Sequence, residues 1–158
     1  IKNIKSIYRS YRLVWTFFCQ SIIAGIPLRG CVSSGFALMD SNKSIYFGTP
    51  LVEAARGEPA RKALGISFGK SFNNHHPVYN DYFIPFWDFI KTDNPKSKFI
   101  SPMALDWPRY WRISPYYKDF SFADCIKKMN TNPDFSEYYD NAISFLIFPT
   151  DMKTGMKK

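Results

Sequence analysis

The chain has 158 residues, of which 46% are hydrophobic, 18% aromatic and 22% charged, with a net charge of +8. That length supports one full hydrophobic core, and the composition excludes a disordered or fibrous chain. The longest apolar stretch, "LVWTFFCQSIIAGIPL", is interrupted by Gln20, Ser21, Gly25 and Pro27 and falls short of the about 18 residues a membrane span needs, so none is expected.

A single domain over residues 1–150 is predicted, with 151–158 as a flexible tail. Lys2 and Lys5 precede a polar, Tyr-rich segment without the apolar core of a secretory signal. The cysteines Cys19, Cys31 and Cys125 form no metal-like pair and are odd in number, which favours reduced thiols in a cytoplasmic protein. The first residue is Ile1 rather than Met, and a long helix begins almost at once, so the chain is expected to be the later part of a longer polypeptide. The basic balance draws partly on lysines near the two ends; a basic, aromatic-rich surface can also attract a nucleoside triphosphate or another polyanion.

Ile4, Tyr8, Tyr11, Val14, Trp15, Phe18 and Ile22 recur at three- and four-residue steps, which predicts a helix stopped by Gly25 and Pro27. Residues 28–38 predict a strand, with Leu28, Gly30, Val32 and Ser34 on one face. "DSNK" at 40–43 is a turn signal, and a strand from Ser44 to Phe47 would complete a hairpin. Thr49-Pro50 predicts a helix start with the threonine hydroxyl as cap, and Gly57 and Pro59 end that helix. "ALGISFGKSF" reads as a strand and "NNHHP" as a loop. Pro77, Pro85, Pro95, Pro102, Pro108 and Pro115 then exclude long regular elements and predict turns and short helices. A last helix is predicted over 136–148, burying Tyr139, Ala142, Ile143 and Leu146.

The ordered parts "RGCVSSG", a turn, and "YFGTPLVEAARGE" resemble the second half of a class III nucleotidyl cyclase catalytic domain, whose pattern is a Gly-containing strand, a hairpin and "FGxxVNxAxRxE". Phe47, Gly48, Ala54, Arg56 and Glu58 carry the match. "GIPLRG", "GTPLVEA", "DWPRYW" and "YYDNAISF" are similar to the bacterial branch that includes the pyrimidine cyclases of Pycsar antiphage defence. The resemblance implies an α+β, ferredoxin-like sandwich with an antiparallel-rich sheet, and a homodimer with composite active sites. It also implies conversion of a nucleoside triphosphate, UTP or CTP, to a 3′,5′-cyclic nucleotide and pyrophosphate with Mg²⁺ or Mn²⁺. Arg56 takes the place of the catalytic arginine, while Ile45, Phe47 and Val52 fall at substrate-binding positions. A planar guanidinium suits a reacting phosphate, and positions four apart on a helix share a face.

The chain departs from the family pattern at two of those positions. Val52 replaces an asparagine that orients the ribose, and Ile45 is neither the aspartate nor the cysteine with which purine cyclases select their base. The family's two metal-binding aspartates lie upstream of the helix that begins this chain, so the chain alone is expected to be inactive. An inactive cyclase-like module that binds nucleotide or RNA is the alternative.

Read without the resemblance, Arg56 is equally an ordinary cation at a helix end. Arg29 reads as a solvent-facing charge or a dimer contact, and His75 and His76 as loop histidines. Trp107 and Trp111 of "DWPRYWR" read as sheet-packing residues rather than base-stacking ones. No nucleophile triad or phosphate-binding Gly-rich loop is present.

Overall fold

The structure is a computed structural model that describes residues 4–75, 83–86, 89–91 and 93–147. The expected tail at 151–158, and His76 and Pro77 of the expected loop, lie outside these residues.

Helix α1 (Ile4–Ile23) buries Tyr11, Trp15, Phe18 and Ile22 on the face their spacing predicts. Gly25 closes it with a φ of 76°, its N–H bonding Ile22 O at 3.1 Å while the N–H of Ile26 bonds Ser21 O at 2.8 Å. This pair of reversed bonds ends a helix on a left-handed glycine.

The strand expected over 28–38 divides. Its first part, β1 (Arg29–Val32), joins the main sheet, whereas β2 (Leu38–Asp40) pairs antiparallel with β3 (Ile45–Phe47) as a separate two-stranded ribbon. The break is held by side chains that take over the strand's hydrogen bonding: Ser33 Oγ donates to Pro50 O, and the N–H of Ser34 donates to Ser71 Oγ at 3.1 Å. The ribbon's turn is built as predicted, with Asp40 Oδ1 accepting the N–H groups of Asn42 and Lys43 at 3.1 and 3.2 Å.

The main sheet has the order β1-β4-β6-β5. Strand β4 (Gly65–Gly69) is parallel to β1, and β6 (Ile100–Leu105) is antiparallel to both β4 and β5 (Phe83–Pro85). The architecture is therefore α+β with a mixed sheet. A parallel pair needs a long crossover, supplied here by the ribbon and helix α2 (Thr49–Gly57). Strand β4 is shorter than "ALGISFGKSF" predicts, because after Gly69 the chain turns into helix α3 (Lys70–His75). The carboxylate of Glu53 accepts the N–H of Ser71 at 3.0 Å and so satisfies a donor of that helix's first turn. Pro102 sits inside β6 because the β4–β6 register is irregular between Ser67 and Gly69, while on the other side its carbonyl accepts the N–H of Phe86 at 2.8 Å.

Alternation along β4 sends Ile66 and Phe68 into an aromatic core and Ser67 to the opposite face. In that core Tyr11 meets the edge of Phe83 with centroids 4.8 Å apart, and Phe68 meets Phe83 at 4.7 Å. Three further helices close it: α4 (Trp107–Ile113), α5 (Phe122–Met129) and α6 (Ser136–Ile147). Trp107 and Trp111 are buried: Trp107 lies over Gly65 of β4, where an added Cβ would stand 3.2 Å from its Nε1, and stacks on Phe122 at 4.5 Å, while Trp111 stacks on Tyr117 at 5.0 Å between helices. Helix α6 buries Tyr139 and Ala142 as predicted and adds Phe145, while Ile143 and Leu146 are half-buried. Among the described residues no helix is long and apolar enough to cross a membrane.

On the opposite face, the end of α2 lies against the sheet. An added Cβ at Gly57 would stand 2.6 Å from Cys31 Sγ and 2.9 Å from Ile100 Cγ2, closer than side chains approach. Cys31 is free and half-buried, and burial pushes its thiol up to about 12. The substitution Gly57→Ala is expected to destabilise the fold by about 1–3 kcal/mol through overpacking. Chemical denaturation measures this, and a midpoint unchanged from wild type would show that the contact is not close.

Candidate functional site

Helix α2 begins at a crowded junction. Gly48 precedes it with φ and ψ both 155°, and a Cβ there would lie 2.8 Å from Phe36 O and 2.9 Å from Ala37 Cα. Glycine is needed because the chain entering the ribbon passes directly over the helix start. Thr49 is not the cap that the sequence predicts: the helix already includes it, Gly48 is the capping position, and no side chain bonds there. Pro50 follows at the second helical position, where its missing N–H costs nothing.

Between the ribbon, α2 and a 3-10 helix (Pro95–Phe99) lies a cleft of about 390 Å³. Phe47, Pro50, Val52 and Phe99 make it mainly apolar, while Ser34, Glu53 and Ser71 form a polar corner. The corner is bonded together: Glu53 accepts both the N–H and the hydroxyl of Ser71, whose Oγ accepts the N–H of Ser34 at 3.1 Å.

Arg56 stands one turn beyond Val52 on the exposed side of α2. Its guanidinium carbon is 5.0 Å from the centroid of the Phe99 ring, and Lys98 Nζ is 5.3 Å from the same ring. Arg56 has no carboxylate partner among the described residues. Three of the four residues singled out in the sequence thus gather here, with Phe47 and Val52 in the lining and Arg56 on Phe99 at its edge. Ile45 does not line the cleft; it lies on the ribbon opposite Asp40. Glu53, Ser71, Ser34 and Phe99 join the site although the sequence did not single them out for it. Glu53 had a usable signal, being an acid beside Val52 on a helix already assigned to the site, whereas nothing local marked Phe99.

The trailing acid of the motif has a different task. Glu58 accepts from Arg29 at 2.7 Å, and the guanidinium of Arg29 lies 4.8 Å from the centre of the Tyr138 ring. Arg29 is therefore an internal partner rather than a free charge. Lys91 Nζ donates to Tyr138 Oη at 2.9 Å, and this bond is the main cause that holds the phenol below the usual tyrosine range. Tyr117, buried beneath the helices, is pushed up to about 12 by desolvation.

Among the described residues no group of three or more His, Cys, Asp or Glu side chains is placed to hold a metal ion. Asp40 is committed to the ribbon's turn and to Lys43 at 3.6 Å. His75 ends α3, and His76 lies outside the described residues.

Comparison with protein-family models, with curated proteins and with solved structures finds no match to this chain.

The Tyr138 environment makes an ultraviolet phenolate titration informative. Because its native phenol is the more acidic, Tyr138 favours the folded state increasingly as pH rises through its lowered native value, and that gain is complete above the unfolded value near 10. Tyr138→Phe is expected to remove one phenolate step from the early part of the titration, and Lys91→Met to move that step to higher pH. An unchanged early phase in both variants would show that Tyr138 is not its source.

Proposed function

We propose that the cleft at the head of α2 is the nucleotide site of a cyclase-like protein that converts a pyrimidine nucleoside triphosphate to its 3′,5′-cyclic monophosphate and pyrophosphate. The observation that carries this reading is Arg56: an exposed guanidinium with no carboxylate partner among the described residues, held against Phe99 beside an aromatic cleft. It occupies the motif position at which the resembling family keeps its catalytic arginine.

In the reaction the ribose 3′ oxygen bonds to the α-phosphorus, the bond from that phosphorus to the bridging oxygen of the β-phosphate breaks, and the 3′ proton is lost to solvent. Negative charge grows on the oxygens around the α-phosphorus as pyrophosphate departs. Arg56 would donate its fixed fork of N–H groups to those oxygens. The Phe99 ring limits the wandering of a long side chain, so less freedom is lost when the phosphate binds. Val52 supplies an apolar surface beside the sugar and cannot hydrogen-bond it.

The ribbon supports the homodimeric part of this reading. It exposes Leu38, Met39, Ile45, Tyr46 and Phe47, and Phe36 beside it is 88% exposed. A two-stranded ribbon with apolar side chains open to water is unusual for a surface that stays uncovered. A second copy of the chain would cover it and bring Ile45 toward a composite site, in a ferredoxin-like cyclase arrangement within the cytoplasm.

The decisive experiment incubates the full-length protein and its Arg56→Ala variant with each of the four ribonucleoside triphosphates and Mn²⁺, with chromatographic separation of products. One cyclic pyrimidine nucleotide is expected, and its rate is expected to fall about 10³-fold or more in the variant. No cyclic product from a folded wild-type protein would sink the enzyme reading in favour of a nucleotide- or RNA-binding module. In sedimentation, the wild type is expected to run as a dimer and the Phe36→Asp, Met39→Asp double variant as a monomer; a monomeric wild type at micromolar concentration removes the composite site.

A further inference from the structure

Glu53 places a hydrogen-bond acceptor at the polar corner of the cleft, and the direction of each bond there can be assigned. A carboxylate only accepts, so Ser71 Oγ must donate its single proton to Glu53. The same oxygen accepts the N–H of Ser34 at 3.1 Å. The Ser71 hydroxyl therefore has no proton left to offer a ligand. Glu53 receives two bonds from Ser71, one on each oxygen, and has no cationic partner among the described residues. Its remaining lone pairs need donors, because a half-buried carboxylate short of hydrogen bonds is costly.

The rest of the cleft suits a flat ring. Phe47 and Phe99 both contribute aromatic surface, and base-to-aromatic stacking tolerates any base identity. A volume of about 390 Å³ falls within the range of roughly 300–1,000 Å³ common for small-molecule sites. Stacking holds the ring without selecting it, so selection falls to the acceptors at the corner.

We infer that Glu53 reads the edge of the bound base and selects a ring that presents an amino donor, so that among pyrimidines cytosine is preferred over uracil. This rests on the nucleotide reading of the cleft. Cytosine carries an amino group at C4 where uracil carries a carbonyl oxygen; a carboxylate facing C4 accepts from the first and repels the second, and uracil's one donor on that edge, the N3–H, is flanked on both sides by carbonyl oxygens. Glu53 is a base-reading residue here, distinct from Arg56, which faces the phosphates.

Calorimetric binding of CTP and UTP in EDTA tests the inference without requiring turnover. Wild-type protein is expected to bind CTP about tenfold or more tightly than UTP, the scale of one well-made base-edge contact. Glu53→Gln keeps an oxygen for the N–H of Ser71 but adds an amide donor, and is expected to erase or reverse the ratio. Ser71→Ala keeps the carboxylate and is expected to retain it, with thermal melting confirming that each variant is folded. Equal wild-type affinities, a uridine preference, an unaltered ratio in folded Glu53→Gln, or loss of the ratio in Ser71→Ala overturns the base-reading role while leaving the nucleotide site in place. Should Glu53→Gln not fold, the wild-type ratio and Ser71→Ala decide. Failure of both nucleotides to bind the full-length wild type, in EDTA and again with Mn²⁺ present, overturns the nucleotide reading itself.

Discussion

The close seat of α2 on the sheet is the constraint from which the cleft follows. Gly57 has no side chain to hold the helix end away from Cys31 and Ile100, and Gly69 leaves room on β4 for the carboxylate of Glu53. A Cβ at Gly69 would stand 2.6 Å from Glu53 Oε2. With these two approaches made, the rotation of the helix about its axis is settled. Glu53 turns inward to Ser71, while Val52 and Arg56, four residues apart, share the outward face.

The arginines around this seat are sorted by what neutralises them. Arg29 is joined to Glu58 and lies over Tyr138, which ties β1 and the end of α2 to α6. Arg61 is buried, its Nε donating to Ser67 Oγ at 3.2 Å and one terminal nitrogen to Phe86 O at 2.7 Å. Both are committed inside the fold. Arg56 rests on an aromatic ring, which holds a guanidinium in place without neutralising its charge. That difference separates a cation available to an anionic ligand from two that serve the architecture, although all three are arginines within or beside the same βαβ crossover.

Local sequence rules located α1, its glycine stop, the Asp40 turn and α6, because each depends on periodicity or on a side chain bonding its own neighbourhood. They failed where a distant group took over the backbone. The run from Leu28 to Leu38 alternates like one strand, yet Ser33 and Ser34 bond Pro50 and Ser71 and divide it. "ALGISFGKSF" likewise reads as a strand, and only the arrival of Glu53 at Ser71 explains why its last residues are helical.

For the candidate site, the strand, turn and helix order, the glycine before α2 and the pairing of Val52 with Arg56 are properties of the sequence itself, since a helix places residues four apart on one face whatever surrounds it. The tertiary structure alone decided that Phe99 would underlie Arg56, that Ser34, Glu53 and Ser71 would form one corner, and that Ile45 would stand outside the cleft. Phe99 and Ser71 reach the cleft on segments that follow β4 and precede β6, so their position depends on how those strands pair and how closely α2 packs over them. Neither the pairing nor the packing distance is encoded in any short stretch of chain.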